Sequence, residues 1–192
     1  MQAKPRPARR AYLALGALSL MFFLITAGTF TALGVVLPDM VAALKWRWSE
    51  AGLGYTLLAL ACGLASLAPA MIVRKAGVRA ALALGGGLLA LGYFLISRSF
   101  SVALYLAGAS LLGVGFALTA IIPGTFVLAR SFSHRSTAIG AYYMAGSLGG
   151  VAGPALYHLA RAAGLDWRGY WFAFGLAVLT SAFLAVLARH HG

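Results

Sequence analysis

The side chains able to do acid–base, nucleophilic or metal chemistry are few in this 192-residue sequence: the carboxylates Asp39, Glu50 and Asp166, four histidines, and the single Cys62. No two carboxylates stand where they could share general acid–base work, and no His, Cys and carboxylate combination falls at metal-ligand spacing. Cys62 lies inside an apolar segment with no intrachain disulfide partner, so it is expected to pack as a small hydrophobe. His190-His191 at the terminus reads as a polar tail. The run Gly146-Ser147-Leu148-Gly149-Gly150 has the composition of a phosphate loop. It sits within an apolar helical stretch, however, and lacks the preceding strand that gives such a loop its geometry. Catalysis is therefore not expected, and neither a cofactor nor a metal is implied.

The elements that hold these residues are set by composition. Hydrophobic residues make up 62% of the chain and charged residues 9%, against roughly half and a quarter in a typical soluble domain. Lipid is the expected solvent for most of the chain. Apolar stretches at 12–38, 51–73, 80–97, 102–129, 137–160 and 170–188 predict six spans of about 20 residues or more. They lack period-two alternation, so helices rather than a barrel must satisfy the backbone in hydrocarbon. The expected fold is all-α, a polytopic bundle of six transmembrane helices. Its expected parts are a basic tail over 1–11, a six-helix transmembrane domain over 12–189 and a short tail over 190–192. The first apolar stretch is too long for a signal-peptide core and is read as a retained span.

The formal charge of +12 does not point to nucleic acid, because the basic residues form no exposed groove with interleaved aromatics. They lie mostly at the ends of apolar stretches. One side of the span map carries Lys4, Arg6, Arg9, Arg10, Arg74, Lys75, Arg79, Arg130, Arg135 and Arg189. The other carries Lys45, Arg47, Arg98, Arg161 and Arg168, together with all three acids. Positive residues favour the cytoplasmic side, so both termini are expected to be cytoplasmic, in the cell (inner) membrane. Trp46, Trp48, Trp167 and Trp171 fall at the opposite interface, where amphipathic rings are favoured. Within the spans, glycines such as Gly85, Gly86, Gly87, Gly92, Gly108, Gly113 and Gly115 predict close helix packing. Pro69, Pro123 and Pro154 predict kinks.

Three segments carry a family resemblance. Ala70-Met71-Ile72-Val73-Arg74-Lys75-Ala76-Gly77-Val78-Arg79 resembles the loop between the second and third helices of major facilitator superfamily transporters. Lys75, Gly77 and Arg79 match that motif; Ala70 stands for the usual Gly, and Arg74 stands where the family has Asp. In the fifth span, Gly140, Gly149, Gly153 and Pro154 are similar to a family pattern that marks mainly proton-driven antiporters, with Tyr157-His158 in place of its trailing Gly-Gly. Ala129 to Phe132, Arg135 to Gly140, Asp166-Trp167-Arg168 and Leu37-Pro38-Asp39 resemble further stretches of the same fold. The resemblance covers nearly the whole chain and is to the amino-terminal six-helix half.

The resemblance implies a substrate cavity at mid-membrane between two six-helix halves, opened alternately to each side. The second half would come from the same gene, a separate chain or a second copy. Candidate cavity residues on the first, second, fourth and fifth spans are Thr26, Thr29, Thr31, Tyr55, Thr56, Thr119, Thr125, Tyr142, Tyr143 and Ser147. Each has a structural alternative, a hydroxyl bonded to its own helix or a ring at an interface. No Asp, Glu, Lys or Arg lies deep within a span. Ala109 stands where many proton-coupled relatives carry an Arg. Any titrating group is therefore expected in the other half or in the substrate, and His158 reads as interfacial. Two functions follow: one half of a small-molecule secondary transporter, or a non-transporting membrane subunit, scaffold or degenerate transporter remnant. Membrane lipid and a small-molecule substrate are the expected partners, and nucleic acid is not. The uncharged wall names no substrate, although the absence of buried acids disfavours cations.

Overall fold

The computed structural model describes residues 9–187. The tail residues 1–8, with Lys4 and Arg6, and residues 188–192, with Arg189, His190 and His191, lie outside the described residues. Every element among the described residues is helical. Helix α1 (Arg9–Thr26) passes through a π-helical turn (Ala27–Ala32) into α2 (Leu33–Leu44). Helix α3 (Trp48–Leu64) passes through a 3₁₀ turn (Ala65–Leu67) into α4 (Ala68–Ser97). Then follow α5 (Val102–Thr119), α6 (Ile122–Ser131), α7 (Arg135–Ala162) and α8 (Trp167–Leu187). Helix α1 begins at Arg9, inside the segment read as a tail.

Four helical runs are long and apolar enough to cross a membrane: Arg9–Leu44, Trp48–Ser97, Val102–Ser131 and Trp167–Leu187. The chain is an integral membrane protein. Six separate spans were expected, and the difference has two physical sources. The second and third expected spans have no loop between them and run on as 50 residues. At 1.5 Å per residue such a helix would be about 75 Å long, more than twice the hydrocarbon thickness. Gly77, with φ 84° and ψ 169°, breaks it into residues 48–76 and 78–97. Only glycine takes that conformation without strain. Helix α7 is 28 residues long but carries Gly, Ser, Thr and Tyr along much of its length, which leaves it less apolar than the four runs.

The connections use ordinary stop and start chemistry. The Arg47 amide donates to Glu50 Oε2 at 2.9 Å, and Ser101 Oγ accepts from the Leu104 amide at 3.3 Å, so α3 and α5 begin with satisfied donors. Just past the end of α7, Gly164 turns the chain with φ 85°, and the Leu165 amide reaches back to the Ala160 carbonyl at 3.0 Å. Arg168 donates from Nη1 and Nη2 to the Ser97 and Ser99 carbonyls at 3.1 and 2.9 Å, closing the end of α4 from the start of α8.

Helix α4 packs on α5 and α8, α5 packs on α3, and α1 packs on α7 and α8. The α4–α5 seam is built on two reciprocal glycine pairs. A Cβ on Gly92 would stand 2.9 Å from the Gly108 carbonyl oxygen, and one on Gly108 would stand 3.0 Å from that of Gly92. Gly85 and Gly115 face each other in the same way, at 3.1 and 2.8 Å. Backbone meets backbone there, and nothing larger than hydrogen fits. On the other side of the bundle, a Cβ on Gly149 would overlap the Phe23 backbone, and one on Gly153 would meet the Ala27 carbonyl and the Thr31 side chain.

Gly108→Ala is expected to cost about 1–3 kcal/mol through overpacking. Gly87→Ala, with open space around its Cβ, is expected to be neutral or to gain up to about 1 kcal/mol from helix propensity. Reversible unfolding of both variants in mixed micelles reads the difference, and equal effects would contradict a backbone-to-backbone seam.

Candidate functional site

Besides the run broken at Gly77, two helical runs are interrupted in mid-course. The π turn at Ala27–Ala32 widens the first run, and the run Val102–Ser131 breaks at Ala120–Ile121, just before Pro123. An interrupted helix in hydrocarbon must have its freed carbonyls satisfied by neighbours. Tyr55 of α3 donates its hydroxyl to the Phe30 carbonyl in the π turn, and Tyr142 of α7 donates to the Ala120 carbonyl at the break. Tyr105 of α5 donates to the Ala51 carbonyl at 2.9 Å, and Tyr93 of α4 shares a hydrogen bond with Thr29 at 3.0 Å.

Each of these four tyrosines enters over a glycine of the receiving run. An added Cβ at Gly34, Gly28, Gly54 or Gly124 would meet Tyr55, Tyr93, Tyr105 or Tyr142 respectively. Phe22 of α1 stacks on Tyr142 with ring centroids 4.6 Å apart, and Gly146 gives that ring its room. Helices α1, α6 and α7 therefore interlock around the break, and both ends of each phenol bond are positioned by side-chain size.

The ten candidate cavity residues divide by what their hydroxyls do. Thr26 donates to the Phe22 carbonyl at 2.7 Å, Thr31 to Ala27 at 3.1 Å, Thr119 to Gly115 at 2.8 Å and Thr125 to Ile121 at 2.8 Å. Thr29, Tyr55 and Tyr142 are committed to neighbouring helices, and Thr29, Thr119 and Tyr142 are buried. Thr56 on α3 and Tyr143 and Ser147 on α7 are exposed. On α7 they share a face with the exposed Gly140, Met144 and Val151, spaced three and four residues apart.

A second polar site joins the far end of α2 to α7. Asp39 Oδ2 accepts from the Tyr157 hydroxyl and lies 3.6 Å from Arg161 Nε. Tyr157 in turn meets Tyr170 edge-on at 5.0 Å. Sequence reading noted Asp39 and Tyr157 separately and did not join them. The signal was available, since Tyr157 stands where the resembled pattern has a glycine and brings the only new hydroxyl to that turn. His158 beside it is exposed.

The positions that resemble the family motifs fall in two places. Gly77 makes the turn within α4; Arg74 and Lys75 before it are exposed, and Arg79 after it is half-buried. Gly149 and Gly153 are buried against α1 and the π turn, Pro154 follows inside α7, and Gly140 has open space around it. No His, Cys, Asp and Glu group that could hold a metal occurs among the described residues.

Tyr142→Phe is expected to cost about 1 kcal/mol by removing one buried interhelical hydrogen bond. In a Pro123→Ala background, where an unbroken helix can serve the Ala120 carbonyl itself, the same substitution is expected to cost less. A double-mutant cycle on unfolding midpoints checks this, and full additivity would disconnect the phenol from the break.

The family model of the Major Facilitator Superfamily matches residues 18–191. The search of curated proteins returned no match.

Proposed function

Because the chain belongs to the major facilitator superfamily, we propose that it serves as one six-helix half of a secondary transporter that moves a small molecule by alternating access. The six spans of this reading are Arg9–Leu44, residues 48–76, residues 78–97, Val102–Ser131, Arg135–Ala162 and Trp167–Leu187. The shortest of them, 78–97, still reaches about 30 Å, the thickness of the hydrocarbon core. The excess of Lys and Arg on one side supports cytoplasmic termini in the cell membrane.

The observation that carries the reading is the division of hydroxyls. Seven of the ten mid-span candidates are occupied by bonds within their own helix or bundle. Thr56, Tyr143 and Ser147 instead stand on uncovered stripes of α3 and α7. Exposed polar groups at mid-membrane depth are costly against lipid and useful against water or substrate. A second six-helix half supplies the facing wall, whether from the same gene, a separate chain or a second copy. Substrate recognition then falls to Thr56, Tyr143, Ser147 and groups of that facing half. The tyrosines that cap the interruptions hold the shape of the wall without touching the substrate.

Single cysteines placed in a Cys62→Ala background test this. Ser147→Cys and Thr56→Cys are expected to react with a membrane-impermeant maleimide in intact cells or inverted vesicles. Leu84→Cys, exposed on α4 and read as facing lipid, is expected to stay unreactive. If Ser147→Cys proves as unreactive as Leu84→Cys, the α7 stripe borders no aqueous cavity and the reading fails.

A further inference from the structure

At the end of the bundle where α4 turns at Gly77, that turn meets the last residues of α6 around an open cavity of about 400 Å³. Its wall includes Val73, Gly77, Val78, Arg79, Phe126 and Arg130. We propose that this cavity binds the phosphate headgroup of an anionic phospholipid. The proposal rests on membrane insertion alone, so it stands or falls separately from transport.

The lining combines apolar and basic side chains, the two kinds of group that a phospholipid's acyl chains and headgroup call for. Val73, Val78 and Phe126 supply apolar lining, and Arg79 and Arg130 supply charge in the same cavity. The Arg130 guanidinium carbon lies over the Phe126 ring, 4.2 Å from its centroid. A guanidinium packed against a ring keeps its N–H donors for two phosphate oxygens and has less freedom to lose on binding than a side chain with no such contact. Exposed Arg74 and Lys75 stand on the last turn before Gly77, which adds positive charge at the rim. Basic pockets of this kind between helices are suited to anionic headgroups.

The three Asp and Glu side chains stand away from this cavity. Glu50 begins α3, 27 residues before Gly77, which is about 40 Å at helical rise. Asp39 is paired with Arg161 near the end of α7, and Asp166 lies in the turn that follows. The carboxylate side chains are thus gathered at the opposite end of the bundle. Arg74 has a particular part here, since an acid at that position would set a negative charge beside the phosphate.

The test is native mass spectrometry of the purified full chain titrated with phosphatidylglycerol or phosphatidylcholine. Wild type is expected to retain phosphatidylglycerol preferentially. Arg130→Gln is expected to reduce that preference by about fivefold or more, on the scale of one interfacial cation. Arg74→Asp, an exposed substitution that disturbs no packing, is expected to reduce it at least as much, while Arg98→Gln at the opposite end leaves it unchanged. Equal retention of the two lipids, or an undiminished preference in both the Arg130 and Arg74 variants, would overturn the proposal. Displacement of the lipid by millimolar inorganic phosphate would also overturn it, by assigning the cavity to a soluble anion.

Discussion

The architecture depends on the approach of two helix backbones at Gly85 opposite Gly115 and Gly92 opposite Gly108. In lipid there is no water to expel from between helices, so association relies on dispersion and short polar contacts, both of which fade within an ångström or two. Carbonyl oxygens set against the Cα hydrogens of the opposing glycines give the seam a set of weak C–H···O contacts as well. The pairs are seven residues apart on both helices and run in opposite order, which fixes the antiparallel register of α4 on α5. Helix α3 then rests on α5 and α8 rests on α4, so the positions of both follow from this seam.

The same economy governs the interruptions. Hydrocarbon offers no partner to a freed carbonyl, so a broken helix persists only where a neighbour provides a donor. Tyrosine suits that task because its ring is apolar along its length and polar at the tip. Four times in this bundle the ring crosses to a neighbouring run over a glycine and delivers the hydroxyl to a carbonyl or a threonine. Breaks in the runs Arg9–Leu44 and Val102–Ser131 are thereby fastened to α3 and α7, the helices that carry the exposed hydroxyls of the proposed cavity wall. The proposed cavity wall and the backbone irregularities are linked by these phenols.

How much of this was legible in the sequence follows from range. Helix type and most boundaries depend on local hydropathy and could be read directly: 137–160 lies within Arg135–Ala162, and 170–188 lies close to Trp167–Leu187. The absence of a loop between the second and third expected spans could not be read, because Arg74, Lys75 and Arg79 look like a loop although their backbone is helical on either side of Gly77. The π turn has no signature in composition. The roles of Tyr55 and Tyr142 depend on a glycine or a proline in another helix, Gly34 for the first and Pro123 with Gly124 for the second. A hydroxyl inside a span announces that it needs a partner, and only the packing tells whether that partner is its own backbone, a neighbour or a ligand.

The reciprocal glycines also have a genetic meaning. Every single-nucleotide missense change of a glycine codon yields a residue with a Cβ, and at Gly85, Gly92, Gly108 and Gly115 that first carbon already lies within about 3 Å of another chain atom. A lineage cannot leave these positions by one tolerated step and return by another. The seam between α4 and α5 is therefore a place where a change on either helix meets the backbone or side chains of the other, while the exposed stripes of α3 and α7 carry no such constraint.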